Sequence, residues 1–304
     1  MYKKTPILIL IFIIETTLLG TFIAGCVHAQ QISYSGSMQY TTGSYFFDET
    51  TESFSLLNGL SITGNKFSIS VNLPFVVQNS PWVSYSAAGY IPTGGPQHKA
   101  VGDSSGRGSG QGSGGGQGMG TMNTTQNPSG SGKKISLPDT SSYTQSNLAD
   151  PNLYAYLKLF TSRSGASSIQ LNTNIKFPFA DPNSGFGTGE WDYGLGLSAS
   201  QRLGTFFIIA DIMKWWFGDL PDLELQDPLS YGLAIGKSLG PDWMINSSIN
   251  GYTEIIDGYD PPMSLGIGIG YFASSNVSLN STFAFGLTES SSDFSVGLGW
   301  NVKL

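Results

Sequence analysis

The C-terminal segment, residues 293–304, alternates strictly between apolar and polar side chains. One face carries only large apolar residues, namely Phe294, Val296, Leu298, Trp300, Val302 and Leu304. The residues between them are small or polar. A period of two over about ten residues predicts a β-strand with one apolar face. Such a strand suits a transmembrane β-barrel, whose outer face meets lipid, although a half-buried strand of a soluble sheet shows the same pattern.

The same alternation recurs along the chain and predicts about twelve strands, an even number as in bacterial single-chain barrels. The predicted strands cover 32–40, 54–62, 67–77, 153–159, 169–179, 191–203, 206–217, 229–239, 243–249, 263–271, 277–287 and 293–304. We therefore predict an all-β fold, a transmembrane antiparallel up-and-down β-barrel that spans residues 30–304.

The connections between these segments alternate in length, with short ones such as 164–167 and long ones such as 181–190. Acidic residues gather in the long connections, whereas basic residues lie near the short ones: Lys66, Arg163, Arg202 and Lys237. In bacterial barrels the short turns are periplasmic and the long loops are external. We expect both chain termini on the periplasmic side of the outer membrane, with lipid and lipopolysaccharide around the barrel.

Aromatic residues gather near the predicted strand ends, as amphipathic rings do at a membrane–water interface. They include Trp191, Tyr193, Trp215, Trp216, Phe217, Trp243, Tyr271, Phe272 and Trp300. We expect these rings at the membrane–water interface as a set, and the alternative for any single ring is an ordinary core aromatic.

Composition agrees with a barrel and excludes several other classes. Only 12% of the 304 residues are charged, about half the share of a soluble globular domain. The net charge of −7 argues against nucleic acid as a partner. The single cysteine, Cys26, permits no internal disulfide, and the scarcity of histidine and cysteine leaves no expected cofactor or metal.

Residues 1–29 read as an export signal. Lys3 and Lys4 precede a mostly apolar run, and Val27-His28-Ala29 is a small-x-small cleavage site. The residues before and including Cys26 also resemble a lipoprotein box, so lipidation of Cys26 is the alternative to cleavage by signal peptidase I.

Residues 80–150 interrupt the strand rhythm. From Gly102 to Lys134 the chain is almost entirely glycine, serine, glutamine, asparagine and threonine, which predicts a flexible insert without a core. No predicted strand leads directly into this run, and no Gly-Lys-Ser/Thr motif follows it. The run is therefore not a phosphate-binding loop.

Several blocks resemble the outer-membrane transporter-like proteins of the meta-pathway of phenol degradation family. They are Lys176-Phe177-Pro178, residues 187–196, Trp215 to Asp219, Asp227 to Gly232, residues 251–258 and residues 286–290. The resemblance covers residues 150–304 well, 30–80 weakly and the insert not at all. It implies a porin-like barrel for small aromatic or apolar compounds and supplies no catalytic residues.

The inward face of the barrel is the expected functional surface. Alternation places these candidate channel-lining residues on it: Lys158, Lys176, Asp192, Arg202, Asp211, Asn246, Asn250, Tyr252, Glu254 and Lys303. Their charges either set up a transverse field that orients a polar solute or form ion pairs that fill the lumen. Histidine-based catalysis is not expected, because His98 lies in the insert, away from every predicted strand.

These observations predict a passive outer-membrane channel or transporter for small solutes, and not an enzyme. Its C-terminal strand is expected to engage the barrel-assembly machinery. The alternative is a non-conducting barrel with a structural or surface-interaction role.

Overall fold

Residues that alternate between apolar and polar side chains form antiparallel strands, as their period of two requires. The structure, a computed structural model, describes residues 31–86, 89–94, 101, 135, 144–181, 185–220 and 223–304. Its strands are β1 (Gln31–Gly43), β2 (Thr51–Thr63), β3 (Phe67–Gln78), β4 (Ser84–Ser86), β5 (Gly89–Ile91), β6 (Gln145–Leu148), β7 (Asn152–Thr161), β8 (Ser167–Lys176), β9 (Asp192–Leu203), β10 (Phe206–Trp216), β11 (Leu229–Leu239), β12 (Trp243–Tyr252), β13 (Met263–Phe272), β14 (Val277–Gly286) and β15 (Phe294–Lys303).

The main sheet closes on itself. Each long strand pairs with its neighbours in sequence, and β1 pairs with β15 over ten residues, from Ser33 opposite Lys303 to Thr42 opposite Phe294. β6 and β7 both pair with β3, end to end, so together they occupy one strand position. The predicted all-β barrel of twelve strands is confirmed.

Pro74 marks the break between β6 and β7. Proline has no N–H to give to a neighbouring strand. β7 pairs with β3 up to Asn72, β6 pairs with it from Phe75, and between them Ala149 N donates to Pro74 O at 2.9 Å. The chain therefore leaves the ladder at this point, which frees Asp150 for the contacts described below.

The connections differ in length at the two ends of the barrel. The segments 64–66, 162–166, 204–205, 240–242 and 273–276 are short and lie at what we call the turn end. The longer segments, including 177–191, 217–228 and 253–262, lie at the loop end. Both ends of the described chain lie at the turn end, where Leu304 N donates to Ile32 O at 2.9 Å.

The outer face of the barrel is apolar. Large apolar side chains are exposed along it, for example Leu60, Ile235, Ile267 and Leu298. Between them, the inward positions of most strands hold serine, threonine, asparagine or glycine. This arrangement is the one expected of a barrel whose outside contacts hydrocarbon. Within the described ranges, no helix is long and apolar enough to cross a membrane.

β10 departs from the simple pattern because it is apolar on both faces. The outward positions include Ile208 and Ile212, and the inward positions are Phe207, Ile209, Asp211, Met213 and Trp215. Asp211 is thus the one polar residue of the inward stripe of this strand.

The connections of the loop end pack together into a hydrophobic cluster, which we call the loop core. It contains Tyr45, Phe46, Phe47, Trp82, Val83, Ile91, Val101, Trp215, Phe217, Leu220, Leu223, Leu225, Ile255, Ile256 and Tyr259. Met213 and Tyr252 pack against it from the inward faces of β10 and β12. The prediction that Trp215 and Phe217 belong to the aromatic set at the membrane–water interface is therefore wrong, because both rings are buried in the loop core.

The segment 80–150 contributes structure at both of its ends. β4 and β5 form a small hairpin, Trp82 and Val83 enter the loop core, and Ile135 pairs with Phe47. Residues 102–134, for which we predict flexibility, lie outside the described residues, as do residues 1–30, which include the predicted export signal.

Candidate functional site

The inner wall of the barrel carries most of the predicted channel-lining residues. They occupy the strand positions that alternate with the exposed apolar ones: Lys158, Arg202, Asp211, Asn246, Asn250, Tyr252 and Lys303. Lys158 precedes a β-bulge in β7, after which Leu159 and Phe160 are both exposed.

A cavity of about 280 Å³ lies along β12, β13 and β14 toward the turn end. Inward residues from each strand contribute to it, among them Met244, Asn246, Gly268, Asn280 and Thr282. Its wall therefore combines amide and hydroxyl groups with the open backbone of glycine. Tyr271 and Phe272 contribute aromatic side chains to its lining at the turn end.

Lys176 and Asp192, two predicted channel-lining residues, are buried in an ion-pair cluster at the loop end. Lys176 Nζ lies 3.1 Å from Asp150 Oδ2 and 3.2 Å from Asp192 Oδ2, and it also bonds to Thr188 Oγ1. All three charged side chains are at most 2% exposed. We call Lys176, Asp150, Asp192 and Thr188 the lysine cluster.

Backbone donors complete the lysine cluster. Asp150 Oδ1 accepts hydrogen bonds from Phe179 N at 2.9 Å and Ala180 N at 2.8 Å. Asp192 Oδ1 accepts one from Gly218 N at 3.3 Å. Two carboxylates share one ammonium, so these N–H groups stabilise the remaining negative charge. The cluster thereby fastens the loops after β8 and β10 to the top of the barrel.

Sequence reasoning missed Asp150 and Thr188. Asp150 lay in the segment that we predicted to be an insert, and Thr188 lay in the predicted connection 181–190. Neither residue was therefore on a predicted strand face. The sequence signal that could have led to Asp150 was Lys176. A lysine that is buried at an inward position near the loops requires an acidic partner.

Two carboxylates of the loop end have different surroundings. Burial raises the pKa of Glu190 above its ordinary value, Lys176 acts in the opposite direction, and Asp219 and Asp192 raise it further. Glu254 lies beyond the end of β12, where its Oε1 accepts a hydrogen bond from Gly258 N at 2.7 Å. Strand alternation therefore does not apply to Glu254, which caps a turn of the loop 253–262.

Phenol groups near the loop core stay protonated at neutral pH. Burial raises the pKa of Tyr90 to about 12, and burial raises the pKa of Tyr45 still further. Tyr45, in the loop core, and Tyr90, packed against it, are therefore uncharged at neutral pH.

Chemistry beyond binding is not apparent in the part of the chain that the structure describes. No group of three or more histidine, cysteine, aspartate or glutamate side chains there could hold a metal ion. His98 and Cys26 lie outside the described ranges.

Comparison with known proteins places the fold. No family model matches the chain, and no curated protein matches it. Among solved structures, an outer-membrane channel from Pseudomonas putida F1 is similar, with 12% identity, a TM-score of 0.60, and coverage of 92% of this chain and 97% of that one. The NanC porin gives 8% identity, a TM-score of 0.49 and coverage of 89% and 100%. At 12% identity the likeness to the P. putida structure is one of fold alone.

Proposed function

We propose that this protein is a passive channel for small solutes in the bacterial outer membrane. The observation that carries the proposal is the pairing of an apolar outer face with an inner wall of small polar residues in a closed barrel. The cavity along β12, β13 and β14 gives a solute room inside the wall.

The charge distribution supports an orientation. Acidic residues such as Asp48, Asp219 and Asp257 lie at the loop end, and Lys66 and Arg163 lie at the turn end. We propose that the loops face outward and that both termini are periplasmic, as in other bacterial barrels. The outer face then contacts lipid and lipopolysaccharide, and β15 offers the barrel-assembly machinery its C-terminal strand.

The solute class rests on the resemblance to the meta-pathway of phenol degradation family. Two of the motif blocks meet in the structure, where Lys176 contacts Thr188 and Asp192 in the lysine cluster. We propose small aromatic or apolar compounds as solutes. The P. putida relative is a channel, which is consistent with a protein that is not an enzyme.

Conductance across a planar bilayer tests the proposal. The mature protein, refolded in detergent, is expected to insert and give stepwise currents in potassium chloride. A matched preparation of heat-denatured protein serves as the control. A correctly folded, heat-modifiable protein that inserts without any current would overturn the channel function.

A non-conducting barrel is the second candidate, and the loop core favours it. Phe47 and Val83 are fully buried there, and Phe217 is 2% exposed, so the loop end is filled by packed side chains. Current that appears only after substitutions inside the loop core would support this candidate. Current in the unmodified protein would exclude it.

Two maturation routes remain as proposals for residues 1–30. Cleavage after Ala29 leaves Gln30 as the first residue, and lipidation leaves Cys26 as the first. The intact mass of the protein purified from membranes distinguishes the two, because only the lipidated form carries acyl chains.

A further inference from the structure

Asp211 lies on the inner wall with no charged partner. The structure gives its carboxylate no ion pair and no hydrogen bond from any described residue. Lys158 belongs to the same ladder row, through Gln170 and Ser198, but stands three strands away on β7. A carboxylate without a partner in a partly enclosed lumen favours a positively charged ligand.

A second oxygen faces the same space. A Cβ built on Gly232 would lie 2.5 Å from Asp211 Oδ1 and 2.9 Å from Asn250 Oδ1. Asn250 Nδ2 donates to Ser248 Oγ at 3.3 Å, which turns the amide oxygen toward Gly232. The two acceptor oxygens, one from Asp211 and one from Asn250, therefore lie over Gly232 without a donor between them. A cation that carries N–H groups can donate a hydrogen bond to each of them.

The surroundings of this pair are mixed, because Ser198 and Gly232 lie opposite Asp211 on β9 and β11, whereas apolar residues precede and follow it on β10. Ile209 and Met213 flank Asp211 on the inward stripe of β10, and Met213 packs against the loop core. Tyr252 occupies an inward position of β12, two residues beyond Asn250. Aromatic faces attract cations, and the apolar side chains suit the hydrocarbon part of a ligand.

From this geometry we infer that Asp211 and Asn250 form a binding site for a small organic ammonium ion. The ammonium donates to the Asp211 carboxylate and the Asn250 amide oxygen, and its apolar substituent packs against Ile209 and Met213. Ca²⁺ and Mg²⁺ fit less well, because these ions take six or more oxygen ligands and only two groups converge here. The inference deepens the proposed channel function and rests on it, since a solute reaches this site only through the lumen.

Isothermal titration of the full mature protein in detergent with benzylammonium chloride tests the site. Benzyl alcohol has nearly the same shape without the charge, and titration into empty micelles gives the blank. We expect benzylammonium to bind at least about tenfold more tightly than benzyl alcohol, as one charge-assisted hydrogen bond allows.

Three variants make the test specific. Asp211→Asn is expected to remove the preference for benzylammonium. Gly232→Ala keeps the charge but places a methyl group between the two acceptors, and it is expected to weaken binding as well. Asp257→Asn changes an exposed carboxylate of the loop 253–262 and is expected to leave binding unchanged.

Three outcomes would overturn the site. Unchanged benzylammonium binding by Asp211→Asn means that the ammonium binds elsewhere. Equal affinity for benzyl alcohol means that charge is not recognised. Equally effective competition by sodium means that the site takes inorganic cations. Bilayer conductance is measured separately, so a channel that conducts but fails these titrations retains its proposed function and loses only this site.

Discussion

Lys176 and Asp150 form an ion pair, 3.1 Å between Nζ and Oδ2, from which solvent is excluded. Asp150 follows the break that Pro74 allows in the strand beside β3, and Lys176 is the last residue of β8. The pair therefore joins a loop segment to the barrel wall at the point where the regular ladder stops.

Replacing Lys176 by methionine should destabilise the protein strongly. The substitution leaves Asp150 and Asp192 buried without a cation, which costs about 3–5 kcal/mol when one partner of a buried pair is removed. Urea unfolding in detergent, followed by tryptophan fluorescence, measures the loss. Lys303→Met, at an exposed position of the turn end, is the control. Equal losses in both variants would show that the ion pair has no special role.

Phe217→Ala should loosen the loop core. The ring is 2% exposed, and removing a buried phenylalanine costs about 3–5 kcal/mol of packing free energy. We expect faster protease cleavage of the loops while the strands remain protected. Phe179→Ala removes the same side chain from a position that is 79% exposed, and its digestion should match the parent.

Deleting residues 104–132 should leave the barrel able to fold. The deletion retains Val101, which is fully buried, and Ile135, which pairs with Phe47. A shorter surface connection changes the loop-closure entropy by less than about 1 kcal/mol. Heat-modifiable gel mobility is the measurement.

The matched variant for that deletion is Val101→Asp in the full-length chain. It places an unpaired carboxylate in the loop core, where burial of a charge is costly. A deletion variant that folds less well than Val101→Asp would mean that the glycine-rich run supports the fold.

Glu190 should make stability depend on pH. Its pKa in the folded protein is raised, so the folded state binds the proton more readily than the unfolded state. The resulting loss of stability begins as pH rises through 4.5, the ordinary pKa of a glutamate, and is complete above the raised pKa. Glu190→Gln should therefore be more stable relative to the parent at pH 7 than at pH 4. Urea midpoints of the parent and of Glu190→Gln across this range check the difference, and a constant difference between pH 4 and pH 7 would contradict the prediction.

The strands were predictable from the sequence because their signal is local. Phe294 to Leu304 repeats every second residue, and the same period recurs wherever one face meets lipid. The ends of strands were less certain: β8 stops at Lys176, although apolar residues continue to Phe179. At the end of β10 the alternation of apolar and polar residues gives no information, because Trp215 and Trp216 are adjacent tryptophans. The sequence therefore does not indicate which of the two rings points inward.

The loop core and the lysine cluster were beyond sequence reasoning for a different reason. Phe47, Leu223 and Ile256 come from distant connections and follow no period, so nothing local indicates that they pack together. Asp150 likewise meets Lys176 only because the barrel closes around both. Inward residues such as Asp211 were identifiable, but their partners depend on the register of strands far apart in the chain.

The pairing of β1 with β15 has a consequence for how the chain is made. The first and last strands of the described chain are neighbours, so no shorter chain can satisfy the backbone donors and acceptors of β1. Until residues 294–303 arrive, the growing sheet has two open edges that invite pairing with other chains. A barrel that can remain in hydrocarbon therefore needs both β1 and β15, because the loss of either strand leaves unpaired backbone groups at an open edge.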